Sequence, residues 1–168
     1  MWPRWPPGRM PPEGWQAPDA VAYARVLADS FRRLTGRPIL GLPDPADDAA
    51  LAAALYAAPF PLVSHGTEAD PVFRYGNAAA LRLWEMGWDA FTRLPSRQSA
   101  EPDPEVQADR DRLLAEARER GWTEGYRGIR ISAGGRRFRI LDTILWTVTD
   151  AEGRIQGQAA RIGRVEAL

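Results

Sequence analysis

The hydrophobic residues of the chain first repeat with a helical period and later with the period of a strand. From residue 19 to 35 the apolar positions are three or four apart, which predicts an amphipathic helix that Gly36 ends. Asp44 and the proline after it predict the start of a second helix, which runs to residue 58. Between residues 126 and 162, three alternating segments separated by glycine-containing turns predict an antiparallel meander.

Shorter elements are expected between the second helix and the meander. They are strands over 60–65 and 72–75, helices over 78–86 and 88–94, and a long helix over 104–121. The fold class is therefore α+β: a five-stranded antiparallel sheet with helices on one face, plus N-terminal helices. The sequence divides into an arm rich in Pro and Trp (1–18), an N-terminal helical region (19–58) and a sheet domain (59–165).

The N-terminal region raises a question of packing. Proline prevents regular structure in the arm, and its tryptophans Trp2, Trp5 and Trp15 offer apolar surface that either docks or stays free. The stripe of the first helix, which includes Ala28 and Phe31, must also be covered. We expect a homodimer in which this helix contributes to the interface.

Composition excludes several kinds of chemistry. Among the 168 residues the basic and acidic side chains balance at 22 each, so a polyanion such as DNA is not the expected partner. The chain has no cysteine, which rules out disulfides, thiolate catalysis and cysteine-ligated metals. It has no lysine for a Schiff base, and its single histidine rules out any two-histidine metal site, so no metal is expected.

The chain shows no segment typical of a membrane protein or a secreted one. No apolar run approaches the roughly 20 residues that span a bilayer, and the N-terminus has no apolar core of a signal peptide. We therefore expect a cytoplasmic protein.

Several short motifs follow one another in a recognisable order. Tyr75-Gly76-Asn77-Ala78-Ala79 resembles the Tyr-x-Asn-x-Ala step that leaves the second strand of PAS folds. Further blocks resemble those of the MEKHLA family of PAS-like domains, over residues 20–163. These blocks are Pro59-Phe60 with Ser64-His65-Gly66, Asp70-Pro71 to Asn77, Trp88 to Arg97, Gly125 to Arg130, Gly135 to Phe138, and Gly157-Gln158-Ala159.

The resemblance implies a PAS-like fold and a role in sensing or assembly. The implied activity is binding of a small molecule or a protein partner, with no intrinsic catalysis. The hexapeptide after which the family is named is absent here. Because PAS folds serve many roles, the resemblance does not name a ligand.

The strand alternation and helix spacing place polar side chains on inward faces. Arg97, Arg110 and Arg130, with Tyr75 and Asn77, are candidates to hold an anionic or amide-bearing ligand, because the guanidinium fork grips oxyanions with two hydrogen bonds. The alternative is structural: Arg110 or Arg130 would pair with Asp142 or Glu101.

Aromatic residues extend this candidate site. Trp84, Trp88, Trp122 and Trp146 either line a slot for a planar ligand or belong to the core. The ligand-binding candidates are Tyr75, Asn77, Trp84, Trp88, Arg97, Arg110, Tyr126, Arg130, Phe138 and Trp146. The cofactor is unknown. A photoactive cysteinyl–flavin adduct is excluded without cysteine. PAS-type haem proteins usually place the haem ligand on the helix before the third strand, and because that helix has no histidine here, the resemblance does not imply haem.

The alternative function is that of a small enzyme with an α+β cone fold, such as an isomerase, cyclase or dehydratase. Its general base would be Asp142, predicted to lie among Ile144 and Trp146, or His65. Such a cone needs about six strands, and the five predicted strands disfavour it. His65 has a structural interpretation too, as a hydrogen-bonded corner before Gly66.

Overall fold

A computed structural model describes residues 14–168. A 3-10 turn at Gly14–Gln16 precedes five helices and six strands. The helices are α1 Pro18–Thr35, α2 Asp48–Tyr56, α3 Ala78–Trp84, α4 Trp88–Phe91 and α5 Pro104–Arg120. The strands are β1 Leu62–His65, β2 Phe73–Gly76, β3 Trp122–Ile131, β4 Arg137–Thr149, β5 Ile155–Arg161 and β6 Arg164–Ala167.

The strands form one antiparallel sheet in the order β2-β1-β5-β4-β3. The predicted five strands are present, and β6 is an addition that pairs with the first part of β4. Three of its four residues are exposed, so β6 lacks the apolar alternation that would have predicted it. β3 also begins at Trp122, before the predicted start at Tyr126, and passes through Gly125, which has a φ of 76°.

Helices cover both faces of the sheet. On one face α1 packs through Leu27 and Phe31 against Trp146 and Val148, and α2 contributes Leu51 and Leu55 to the same cluster. On the other face α3, α4 and α5 pack against a second cluster. The stripe of α1 is thus buried within its own chain, which removes the reason for expecting this helix at a dimer interface. A homodimer stays a prediction without that support.

At Asp142 the long strand β4 changes its partner strand, and its side chains change the face of the sheet to which they point. Residues before it pair with β6, and residues after it pair with β5. Asp142 has a φ of 49°, a left-handed conformation that is uncommon for a non-glycine residue. Leu145 therefore joins the cluster under α3–α5, while Ile144 and Trp146 point to α1. The alternation of the sequence predicts that Phe138, Ile140, Ile144, Trp146 and Val148 share one face of β4, and that prediction was wrong.

The second helix starts later than predicted. Its first residue is Asp48, and the side chain of Asp47 caps it by accepting a hydrogen bond from Ala50 N at 2.9 Å. Ahead of α1, the ring of Trp15 stacks on Tyr56 with centroids 4.6 Å apart. Trp2 and Trp5 lie outside the described residues. Over residues 14–168, no helix has both the length and the apolarity to cross a bilayer.

Candidate functional site

Asn77 ties the elements around the site together. Its Oδ1 accepts hydrogen bonds from Leu62 N at 2.9 Å and Ala80 N at 3.1 Å, so it fixes the start of β1 and caps α3. Its Nδ2 donates to the carbonyls of Leu55 and Phe60 at 3.1 and 2.8 Å. Asn77 is fully buried, and these four bonds satisfy its amide. The predicted ligand contact is therefore a structural anchor.

A cavity lies between the sheet and the α3–α5 layer. Its volume is about 50 Å³, which accommodates roughly three to five water-sized groups. Most of its lining is apolar. Arg110 of α5 and Tyr126 and Arg130 of β3 contribute polar groups, and so do His65 of β1 and Gln158 of β5. The cavity is lined by Val63, Ser64, His65, Phe73, Trp84, Ser99, Arg110, Leu114, Tyr126, Arg130, Ile140, Leu145, Gln158, Ala159, Ala160 and Ile162.

Two buried arginines form the polar side of this cavity. Arg110 of α5 is 8% exposed, and its Nη2 donates to Ser96 Oγ at 2.8 Å. Arg130 of β3 is 6% exposed; its Nη1 donates to the Ile129 carbonyl at 2.8 Å, and its Nη2 donates to the Tyr126 hydroxyl. Burial lowers the pKa of Arg110, and the positive charge of Arg130 lowers it further. The two guanidinium groups therefore raise the positive potential of the cavity.

The carboxylates expected to brace these arginines lie elsewhere. Glu101 pairs with Arg137, and Asp142 pairs with Arg164 at 3.2 Å. Arg110 has an ion pair at 3.6 Å with Asp111, whose side chain is 72% exposed. Within the described part of the chain, no Asp or Glu side chain lines the cavity.

His65 brings a third nitrogen group to the cavity. Its Nδ1 lies 2.9 Å from the Gly66 carbonyl, which can only accept, so Nδ1 carries the proton in this contact. Nε2 is buried without a hydrogen-bond partner among residues 14–168. Burial lowers the pKa of His65, and the charges of Arg110 and Arg118 act in the same direction. The imidazole is therefore neutral near pH 7, with an unused acceptor at Nε2.

A groove of about 480 Å³ opens beside the cavity. It runs along the 66–71 loop and α5. His65, Arg110, Leu114 and Gln158 line both the groove and the cavity. The groove and the cavity therefore adjoin one another at Arg110.

Two aromatic candidates point to the opposite face of the sheet. Tyr75 pairs with Ser64 while Phe73 pairs with His65, so Arg74 is an extra residue that reverses the alternation. Phe73 consequently lines the cavity, and Tyr75 joins the core under α1. Trp146 lies beyond the irregularity at Asp142 and donates from Nε1 to Ser30 Oγ at 3.0 Å. The prediction that Tyr75 and Trp146 line the same pocket as Arg110 was wrong.

Other candidates lie at or beyond the cavity wall. Arg97 is on the surface, where its Nε donates to Asp70 Oδ1 at 3.1 Å. Trp88 is half-buried between the two clusters, and Phe138 packs edge-on against Trp84 with centroids 5.3 Å apart. The cavity therefore retains Trp84, Arg110, Tyr126 and Arg130 of the ten ligand-binding candidates.

Asp142, the first candidate general base of the enzyme alternative, does not lie in the cavity. The side chain of Asp142 is 68% exposed and does not line the cavity, because the left-handed backbone turns it outward. Although the sheet has six strands, helices cover both of its faces, so the strand count does not indicate a cone.

Sequence reasoning missed Ser96, Ser99 and Gln158. Ser96 binds Arg110, and the Ser99 carbonyl accepts from Trp84 Nε1 at 3.3 Å. Gln158 is 3% exposed, and its Nε2 donates to the Leu114 carbonyl at 3.1 Å. The signal for Gln158 was a polar residue between two small ones, Gly157 and Ala159, on a strand.

The architecture is that of a PAS-like fold, as comparison with solved structures shows. A light-oxygen-voltage domain studied with a flavin analogue superposes with a TM-score of 0.55 at 20% identity, over 73% of this chain and 89% of that one. A PAS domain from Colwellia psychrerythraea gives 0.53 at 12% identity, over 70% and 92%. An RNA-binding light-oxygen-voltage receptor gives 0.57 at 19% identity, over 73% of this chain and 36% of the receptor.

Within this class, the chain belongs to the MEKHLA domain family, whose sequence profile matches residues 21–167. The expected membership is confirmed over nearly the whole chain. The comparison with curated proteins finds no match.

Proposed function

We propose that this PAS-like sensory domain binds a small molecule in the cavity between the sheet and α3–α5. The observation that carries the proposal is the pair of buried guanidinium groups, Arg110 and Arg130, which face a cavity lined by no described carboxylate. Arg110 has only the exposed Asp111 as an ion-pair partner, and Arg130 has none among residues 14–168. Buried charges with so little counter-charge are costly. A bound ligand would supply the missing partners and would stabilise the folded state.

The volume of the cavity limits the ligand. Pockets for drug-sized molecules span about 300–1,000 Å³, several times the 50 Å³ present here. A ligand of a few non-hydrogen atoms fits the cavity, and a larger one would have to extend into the groove.

Native mass spectrometry of the full chain purified from its own host tests the proposal. We expect a small mass that is released when the protein is activated in the gas phase. The matched variant is Ala160→Val, because Ala160 lines the cavity and is buried, so the larger side chain takes up ligand space. Wild-type protein without ligand, or Ala160→Val protein carrying the same mass, would contradict the proposal.

A further inference from the structure

We propose that the cavity ligand is a short-chain carboxylate, held by Arg110 and Arg130 with its hydrocarbon end against the apolar wall. This inference rests on the proposed function and adds the chemical class of the ligand. It follows from the charge, the free hydrogen-bond donors and the shape of the cavity.

The charge of the cavity calls for an anion. Arg110 has one carboxylate partner, the exposed side chain of Asp111, and Arg130 forms no ion pair anywhere in residues 14–168. The two guanidinium groups line the same small cavity and repel each other, and this repulsion helps to lower the pKa of Arg110. An oxyanion between them would replace this repulsion with two attractions.

Both guanidinium groups have N–H donors that do not form hydrogen bonds within the described part of the chain. Arg110 uses Nη2 on Ser96 Oγ and Nη1 on Asp111, while Arg130 uses one nitrogen on the Ile129 carbonyl and another on Tyr126. Most N–H groups of each guanidinium thus have no acceptor in the described part of the chain. A carboxylate offers two oxygens with lone pairs, which suits a planar fork.

The apolar part of the cavity lining determines the rest of the ligand. It is made of aliphatic and aromatic side chains with no hydrogen-bonding group to offer. These are Val63, Phe73, Ile140, Leu145, Ala160 and Ile162. Inorganic phosphate, polar on every side, would leave this wall in contact with charged oxygens. A carboxylate with one to three further carbons matches both ends and the volume of about 50 Å³.

Isothermal titration calorimetry on the full chain tests the inference with propionate as the probe. Propionamide has the same shape without the charge, and inorganic phosphate has the charge without the apolar end. We expect propionate to bind at least tenfold more tightly than either. Equal binding of propionamide, or tighter binding of phosphate, overturns the carboxylate inference and leaves the proposed function standing.

Variants locate the binding site. Arg110→Met and Arg130→Met should each weaken propionate binding at least tenfold. Arg112→Met is the matched control on the same helix: the Arg112 side chain is 65% exposed and pairs with Asp109 at 2.7 Å, so its loss should change the affinity less than twofold. Equal losses for Arg110→Met and Arg112→Met would overturn the inference, because binding would then depend on general charge.

A size variant keeps the test decisive if an arginine variant fails to fold. Ala160→Val should shift the preference from propionate towards acetate, because the added methyl groups shorten the apolar end of the cavity. An unchanged order of affinities overturns the inference. If neither the acids nor propionamide binds, and the purified protein also carries no small mass, the proposed function fails as well.

Discussion

Individual side chains in this molecule have roles that depend on whether the backbone turns them towards the cavity or away from it. Asp142 and Arg130 illustrate the contrast. Both are charged residues on long strands of the same sheet, yet Arg130 is 6% exposed, whereas the left-handed backbone at Asp142 directs its carboxylate outward. Arg130 is a candidate ligand contact because its side chain is buried beside the cavity. Asp142 is exposed, so its contribution comes from its backbone conformation and not from a contact of its side chain.

Substitutions at Asp142 should follow backbone preference more than charge. Asn and Gly tolerate a positive φ, so we expect Asp142→Asn and Asp142→Gly to change the free energy of unfolding by less than about 0.5 kcal/mol. Asp142→Ala should destabilise by about 1 kcal/mol, because alanine lacks the short polar side chain that lets Asp and Asn adopt this conformation, and Asp142→Val should destabilise by more, because a β-branched side chain is strained there. The exposed pair with Arg164 adds little. Urea denaturation measures these differences; a loss for Asn equal to that for Ala would identify the charge as the cause.

His65 should make stability depend on pH. Burial lowers its pKa below the ordinary 6.5, so the unfolded chain binds a proton at pH values where the folded chain does not. The stabilisation from the neutral imidazole is present in full above about pH 6.5 and is lost as the pH falls from there towards the folded pKa. The slope from this one group cannot exceed about 1.4 kcal/mol per pH unit.

The test compares the wild type with His65→Gln by urea denaturation between pH 8 and 5.5. We expect the unfolding free energy of the wild type minus that of His65→Gln to decrease as the pH falls, because only the wild type loses the stabilisation from the neutral imidazole. A difference that stays constant, or increases, would show that the imidazole is not held neutral.

At the scale of elements, the pairing of β1 with β5 positions the side chains that these two strands contribute to the cavity. Ser64 bridges two layers: its Oγ donates to the Gln158 carbonyl at 2.8 Å and lies 2.7 Å from the hydroxyl of Tyr23 on α1. Gly157 has a φ of 152°, and a Cβ there would collide with the carbonyl oxygen of His65. The strands that carry His65 and Gln158 therefore approach one another only because residue 157 is glycine.

Gly157→Ala should therefore destabilise by about 3 kcal/mol, through backbone strain and steric overlap with β1. Gly153→Ala is the matched control: its φ of 79° is also unfavourable for alanine, but a Cβ there meets no atom within 4 Å. We expect about 1 kcal/mol for the control. Equal losses in chemical denaturation would mean that the β1–β5 contact relaxes freely.

For the molecule as a whole, the sequence predicted the order of elements but not the irregularities that decide which residues share a face. Helical and strand periods were strong enough to place α1, α5 and β4. Trp84 and Arg110 were placed in the cavity because they lie on regular helices, whereas Tyr126 and Arg130 line it although the register of β3 shifts on both sides of Tyr126.

Prediction failed beyond two other irregularities. The extra residue Arg74 and the turn of the backbone at Asp142 each reverse the alternation, and neither residue type signals a bulge. Tyr75 and Trp146 were consequently assigned to the wrong face. β6 was missed because an exposed edge segment needs no apolar period.

The measurement that tests the cavity as a ligand site most directly is an NMR titration of the one histidine in the chain. His65 lines both the cavity and the groove, so its imidazole signal can be assigned without ambiguity and reports on the site. Propionate is added to the full chain, with Ala160→Val as the matched variant. We expect the His65 signal of the wild type to shift and saturate, and the shift to weaken in the variant. A signal that stays fixed while calorimetry records binding would place the ligand elsewhere and contradict the cavity as the site.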